Sequence, residues 1–365
     1  MQINEILSVL EQLAPPSLQE DYDNAGLITG KTQWNCTGII ISLDTTQDVV
    51  QEAIEKNCNL IVAHHPIVFK GLKKITGKNY VEQTIIKAIK NDIAIYAIHT
   101  NLDNVLPGVN GKMADLLGLV NRSILAPKAG LLQKLAVFVP HSHKEQLLNA
   151  LFAAGAGDIG QYSECSYSVD GTGTYKPGEA ANPYLGEKGK RHSEPEARVE
   201  VIFPEWRQAK LVKTMKENHP YEEVAYDIFP LANTWQETGS GLIGELPQEI
   251  SELEMLSKLK NTFKIPVIKH TALRGKPVKK VALCGGAGSF LTRAAIAAGA
   301  DIYITGDVKY HEFFDAEGQL LLADIGHYES EQFTIDLLFD ILREKFPNFA
   351  VLKTGVNTNP VSYFQ

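Results

Sequence analysis

Apolar residues along this chain fall into two patterns. Short continuous runs rich in β-branched residues occur at 38–43 (GIIISL), 60–63 (LIVA) and 93–98 (IAIYAI). Between them, around 46–56 and 80–91, apolar positions recur at helical spacing, with Val81, Ile85, Ala88 and Ile89 on one stripe. Continuous apolar strands separated by amphipathic helices predict a parallel sheet covered on both faces, an α/β architecture. The last third repeats the style. Residues 280–283 lead into CGGAGS (284–289), a helix is expected over about 290–298, and strands at 301–305 (DIYIT) and 320–323 (LLLA). The helix after Ser330 carries Phe333, Leu337, Leu338, Ile341 and Leu342.

The middle reads differently. Strand 134–140, helix 143–154 and strand 162–169 precede a polar, glycine- and proline-rich stretch at 170–196 that predicts a long loop. Strand 197–203, helix 206–218 and strand 224–231 follow. That order, β-α-β-β-α-β, is ferredoxin-like. Residues 1–124 and 236–365 are therefore expected to build one α/β domain, interrupted by an inserted domain at 125–235.

Composition narrows the setting. The 365 residues have ordinary hydrophobic and charged fractions, and a net charge of -8 argues against a broad nucleic-acid-binding face. A nucleotide substrate stays open, because metals supply positive charge locally. The four cysteines lie far apart with no CxxC pair, which suits a reducing compartment and disfavours a cysteine zinc finger. With no basic leader and no membrane-length apolar run, the expected location is cytoplasmic.

The chemistry gathers at strand ends. LIVAHHP (60–66) runs a buried strand into His64 and His65, and Pro66 restrains the turn where both rings can converge. IAIYAI runs into HTNLD (99–103), placing His99 and Asp103 at a second strand end; the bland reading there is a turn residue. LLLADIGHYESEQF (320–333) ends a third strand, and His327 precedes Glu331 by four positions, one helical turn on one face. The alternative is a helix entry whose Glu329 and Glu331 favour the helix dipole. Taken together, three histidines and two carboxylates exceed what one open tetrahedral zinc site requires. They suit two divalent ions about 3.5–4 Å apart. Zinc comes first, and manganese, iron, cobalt and nickel suit the same N/O donors. In TGDVKYHEFFDAEG (305–318), Asp307 reads as the cap of a helix beginning at Val308, and His311 as a proton carrier or a partner to a ligand.

Several segments in this order resemble one family: YDNAGL (22–27), VAHHPIVFKGLK (62–73), IHTNLDN (98–104), PGVNGKMADLLGL (107–119), CGGAGS, ITGDVKYHE (304–312) and GHYESE (326–331). The chain resembles the Nif-three-like proteins, also called GTP cyclohydrolase I type 2 homologs. The resemblance implies a two-metal site at His64, His65, Asp103, His327 and Glu331, and a ring-shaped homohexamer. The middle segment resembles the long form of that family, with a PII- or CutA-like insert, through YKPGEAANPYLGE (175–187) and HPYEEVAYDIFPL (219–231). HPYEE reads as a helix-ending turn or as a ligand loop.

Two functions fit. One is a metal-dependent hydrolase of a nucleotide or phosphorylated small molecule, with His311 or His99 moving protons and Lys70 or Lys309 steering an anion. GTP ring opening is its specific form by resemblance, although the chain lacks a GxxxxGK[ST] loop and CGGAGS reads as a tight strand-to-helix turn. The other is a non-catalytic metal-holding scaffold whose insert senses a small molecule. The basic stretch 269–280 reads as a solvated loop, since no aromatic platform for single-stranded DNA accompanies it.

Overall fold

The computed structural model of the chain describes residues 1–364. They form two compact units, 1–126 with 237–364, and 127–236. The strands in chain order are β1 (Gly26–Thr29), β2 (Ile39–Ser42), β3 (Leu60–Ala63), β4 (Ala94–Ala97), β5 (Val120–Ala129), β6 (Leu132–Pro140), β7 (Ser166–Tyr175) and β8 (His192–Pro204). They continue with β9 (Tyr226–Leu231), β10 (Thr234–Ile250), β11 (Lys269–His270), β12 (Val278–Ala287), β13 (Ile302–Gly306), β14 (Leu321–Asp324) and β15 (Val351–Lys353).

The first unit holds two sheets. One has the order β1-β4-β3-β2-β15, with β2, β3 and β4 parallel and every residue of those three buried. Burial on both faces is the reason these strands are apolar throughout. The helices expected beside them run Gln47–Glu55 and Tyr80–Lys90. Each begins where a side chain accepts a free backbone amide, Thr46 from Val49 and Asn79 from Glu82. The antiparallel edge strand β1 and the C-terminal β15 complete this sheet.

The other sheet has the order β11-β14-β13-β12-β10-β5, with β12, β13 and β14 parallel. Its long β10 was not among the expected strands. Gly239, Gly241 and Gly244 interrupt its alternation, so it carries little strand signal. The basic stretch 269–280, which begins in β11, is less free than a solvated loop. Lys269 reaches Asp324 at 2.5 Å, and Arg274, 10% exposed at its side chain, is held by Glu252 at 3.4 Å. No helix among the described residues is long and apolar enough to cross a membrane.

The second unit runs β6, helix Lys144–Ala154, β7, β8, helix Gln208–Glu217 and β9, in one antiparallel sheet ordered β7-β8-β6-β9. Val137, Val139, Ala197, Val199 and Val201 pack on Leu147, Leu151, Leu211 and Met215, so both helices cover the same sheet face. The long loop expected at 170–196 is shorter. Ser166–Tyr175 pairs along its full length with β8, leaving residues 176–191 as the connection. The glycines at 171 and 173, read as loop formers, sit within a strand.

Candidate metal centre

Three strand ends deliver the donors. β3 passes directly into His64 and His65, whose amides still pair with the carbonyls of Ser42 and Leu43. Just beyond β4, His99 opens a one-turn helix, Thr100–Asp103, which carries Asp103. After β14, Gly326 at φ +89° turns the chain into helix His327–Glu331. Two of these ends belong to the five-stranded sheet and the third to the six-stranded one.

Glu331 lies at the centre. Its Oε2 is 2.9 Å from His65 Nε2 and 3.1 Å from His327 Nε2. Its Oε1 faces His64 Nε2 at 3.9 Å, and Asp103 Oδ1 is 3.6 Å from that same nitrogen. The donor atoms fall into overlapping groups within 4.8 Å: His65, His327 and Glu331; His64, Asp103 and Glu331; His64, His65 and His99.

The second nitrogen of each ring is anchored. His64 Nδ1 donates to the Ile98 carbonyl (2.8 Å), His65 Nδ1 to Asp44 (2.8 Å), His99 Nδ1 to Asp23 (2.7 Å) and His327 Nδ1 to Asp307 (2.7 Å). With Nδ1 held by those acceptors, Nε2 is the nitrogen that His64, His65 and His327 turn toward the cluster, the orientation metal-ligating histidines use. His64 Nε2 and Asp103 Oδ1 are buried with no hydrogen-bond partner. Leaving such atoms unsatisfied is costly, and a cation between them removes the cost. The donor set therefore fits divalent metal.

Electrostatics agree with that fit. Burial and the Glu331 charge push the Asp103 carboxyl well above the usual range. Burial alone would raise Glu331 too, but contacts with His327, His64 and His65 outweigh it and hold the carboxylate well below its ordinary value. Burial lowers His64. It also works against protonation of His65 and His327, yet their carboxylate partners win and bring them to about 10 and about 9. Asp23 is held at about 2: burial opposes ionisation, and hydrogen bonds from His99 and Thr100 overcome it.

Some placements differ from the sequence-based expectation. Asp307 does not cap a helix at Val308. The next helical turn is the 3-10 segment Tyr310–Ala316, entered through Lys309, and Asp307 adopts φ +56° and anchors His327. His311 is exposed on that segment beside Tyr310 and Phe314 and is not among the grouped donors. Lys309 is exposed and 3.7 Å from Glu312. Asp23, Asp44 and Asp307 were not anticipated as ring anchors. Neither was Thr358, whose hydroxyl donates to the second oxygen of Asp44 at 2.7 Å. Replacing Asp44 or Asp307 with alanine is expected to weaken metal affinity about 10- to 100-fold. Competition against a chromogenic chelator reads this directly, and unchanged affinity in both variants would contradict the anchoring role.

CGGAGS has a packing function as well as a turning one. Gly286 has φ +62°, and a Cβ there would lie 2.3 Å from Glu331 Oε1. A Gly286→Ala chain is expected to displace that carboxylate and lose most bound metal while remaining folded. Metal analysis alongside circular dichroism checks this; full metal content would contradict it.

An α/β protein that converges imidazoles and carboxylates from two sheets, with each ring anchored from behind, carries a donor set suited to a divalent ion. The chain belongs to the Duf34/NIF3 (NGG1p interacting factor 3) family, whose model matches residues 1–360. It is 39% identical over 364 residues to a GTP cyclohydrolase 1 type 2 homolog of Halalkalibacterium halodurans, covering 98% of each chain. A Bacillus subtilis relative of the same description is 36% identical, again with 98% of each covered. Among solved structures, a Bacillus cereus protein related to NIF3 superposes with TM-score 0.88 at 38% identity, covering 100% of this chain and 99% of that one.

Proposed function

We propose that the chain is a metal-dependent hydrolase of a nucleotide or related phosphorylated small molecule, built on a dinuclear site held by His64, His65, Asp103, His327 and Glu331. The observation that carries this reading is the division of Glu331: one oxygen faces His65 and His327, the other faces His64 beside Asp103. One carboxylate set between two donor groups is what a pair of ions requires. Bound there, two divalent ions, zinc first, would supply Lewis acidity to a phosphoryl or carbonyl oxygen and acidify water.

The chain's own residues supply the rest. His64 is buried, whereas the side chains of His65 and His327 are 21% and 38% exposed, so one side of the cluster stays open to a substrate. His99 donates through Nδ1 to Asp23, leaving Nε2 to accept a proton within the cluster. We assign proton transfer to His99 first and to His311 second. The 127–236 unit is read as a ferredoxin-like insert of the PII/CutA kind, and the assembly as a ring-shaped homohexamer.

The deciding experiment is turnover of metal-quantified protein against a panel of nucleotides and phosphoesters, with each candidate metal restored in turn. Wild type should turn over a member of the panel in proportion to metal content. His99→Asn should keep its metal and lose at least about 100-fold in rate, while His64→Ala should lose both metal and activity. Two ions per chain with no turnover anywhere in the panel would replace this reading with that of a metal-holding scaffold.

A further inference from the structure

Two motifs that the metal centre does not use, the glycine- and proline-rich stretch and HPYEE, meet within the 127–236 unit. They enclose a cavity of about 760 Å³. Its floor includes Phe138, Arg198 and Val169, which stand opposite one another across β6, β8 and β7. Their neighbours in sequence, such as Val137 and Val199, point into the core beneath the helices. The cavity therefore lies on the sheet face that the helices leave open. Tyr175, Tyr184 and Tyr221 line it, with ring centroids 5.8 Å apart for Tyr175 and Tyr221 and 6.3 Å for Tyr184 and Tyr221.

Glu196, on β8, is the unusual member. It is 7% exposed, and its Oε1 accepts the Tyr221 hydroxyl at 2.9 Å. No lysine, arginine or histidine among the described residues forms an ion pair with it. Of the cavity's two basic residues, Lys176 is exposed, and Arg198 is committed to Glu200 at 2.9 Å and lies 6.0 Å over the Phe138 ring. Buried carboxylates are ordinarily paired with a cation. Here the wall is built to hold one unpaired. A Cβ at Gly173 would lie 2.0 Å from Glu196 Oε2, so only glycine lets this carboxylate rest against β7.

HPYEE shapes the same wall. His219 Nε2 donates to the Phe138 carbonyl (2.9 Å), and its Nδ1 accepts the Tyr221 amide (3.1 Å), which fixes the residue that caps Glu196. Glu222 accepts the Asn182 amide at 2.7 Å, tying the 176–191 connection to the motif. Both motifs thus converge on a carboxylate in a cavity lined by three tyrosines, and aromatic rings attract cations.

We propose that this cavity binds a small organic cation, a primary amine or quaternary ammonium, with its charged nitrogen between Glu196 and the rings of Tyr175, Tyr184 and Tyr221. The site stands apart from the hydrolase reading and survives its failure. Calorimetric titration of the full, metal-loaded chain with choline and with putrescine tests it, using 3,3-dimethylbutan-1-ol as the neutral counterpart of choline and acetate as an anion control. One of the two cations should saturate about one site per chain, and the neutral alcohol should bind at least about 10-fold more weakly. Glu196→Gln should weaken the cation about 10-fold or more at unchanged metal content. Tyr184→Ala removes a half-exposed ring and should also weaken it without shifting the melting temperature, which keeps the test decisive if Glu196→Gln misfolds. Alcohol binding as tight as choline, acetate binding in place of the cations, failure of both cations at millimolar concentration, or unchanged affinity in the variants would each overturn the proposal.

Discussion

A Glu331→Ala chain is expected to lose nearly all bound divalent metal, whereas a Glu329→Ala chain keeps it. Both carboxylates are buried on the same one-turn helix, so a role limited to the helix dipole would treat them alike. Their partners differ. Glu331 faces three imidazoles. Glu329 accepts from Asn359 and Tyr363 at 3.2 Å, which ties down the C-terminal segment. Removing Glu331 takes one donor from each of its two groups at once and leaves His64, His65 and His327 without their common anion. Asp103→Ala touches only one group, so that variant should retain about half of the roughly two ions per chain expected for such a centre. Metal analysis after dialysis measures all three. Equal metal in Glu331→Ala and wild type would remove the basis of the two-ion reading, and loss in Glu329→Ala alone would move the site to the other face of the helix.

The donor groups that the structure brings together were legible because each follows a run whose meaning is local. LIVA before HHP announces a buried strand and its end, and the spacing of His327 and Glu331 is one helical turn. The rings' anchors were not legible. Asp23 meets His99 across 76 positions, Asp44 meets His65 across 21, and Asp307 meets His327 across 20. A lone aspartate after a strand has the same local signature as a cap or turn residue, which is why Asp307 reads as one. The division of Glu331 between donor groups was equally hidden, because it depends on how two sheets meet. The same limit shortened the expected loop in the second unit. Gly171 and Gly173 punctuate a sequence as turns do, yet they are strand residues there, and Gly173 makes room for a glutamate from the neighbouring strand.

Metal binding is expected to release about two to three protons per chain at pH 7, with apparent affinity climbing steeply between pH 6 and 9. In the metal-free chain, Asp44 and Glu331 hold His65 at about 10, and Glu331 and Asp307 hold His327 at about 9, each against the opposing effect of burial. Both rings are therefore protonated at neutral pH. Their Nδ1 protons are engaged by Asp44 and Asp307, so the proton that must leave is the one on Nε2. The Asp103 carboxyl, pushed well above its usual range by burial and Glu331, contributes to the release. Two protons per binding event correspond to about 100-fold in apparent affinity per pH unit while both rings remain protonated. The sign for folding is opposite. These raised histidine values stabilise the metal-free fold fully below about 6.5, and that contribution fades as pH rises through about 9 and about 10. Raising the pH should thus loosen the empty protein and tighten the loaded one, so the gap between their melting temperatures widens from pH 6 to 9. Calorimetry in buffers of different ionisation enthalpy counts the protons, and a heat independent of buffer would show that the rings enter the site already neutral.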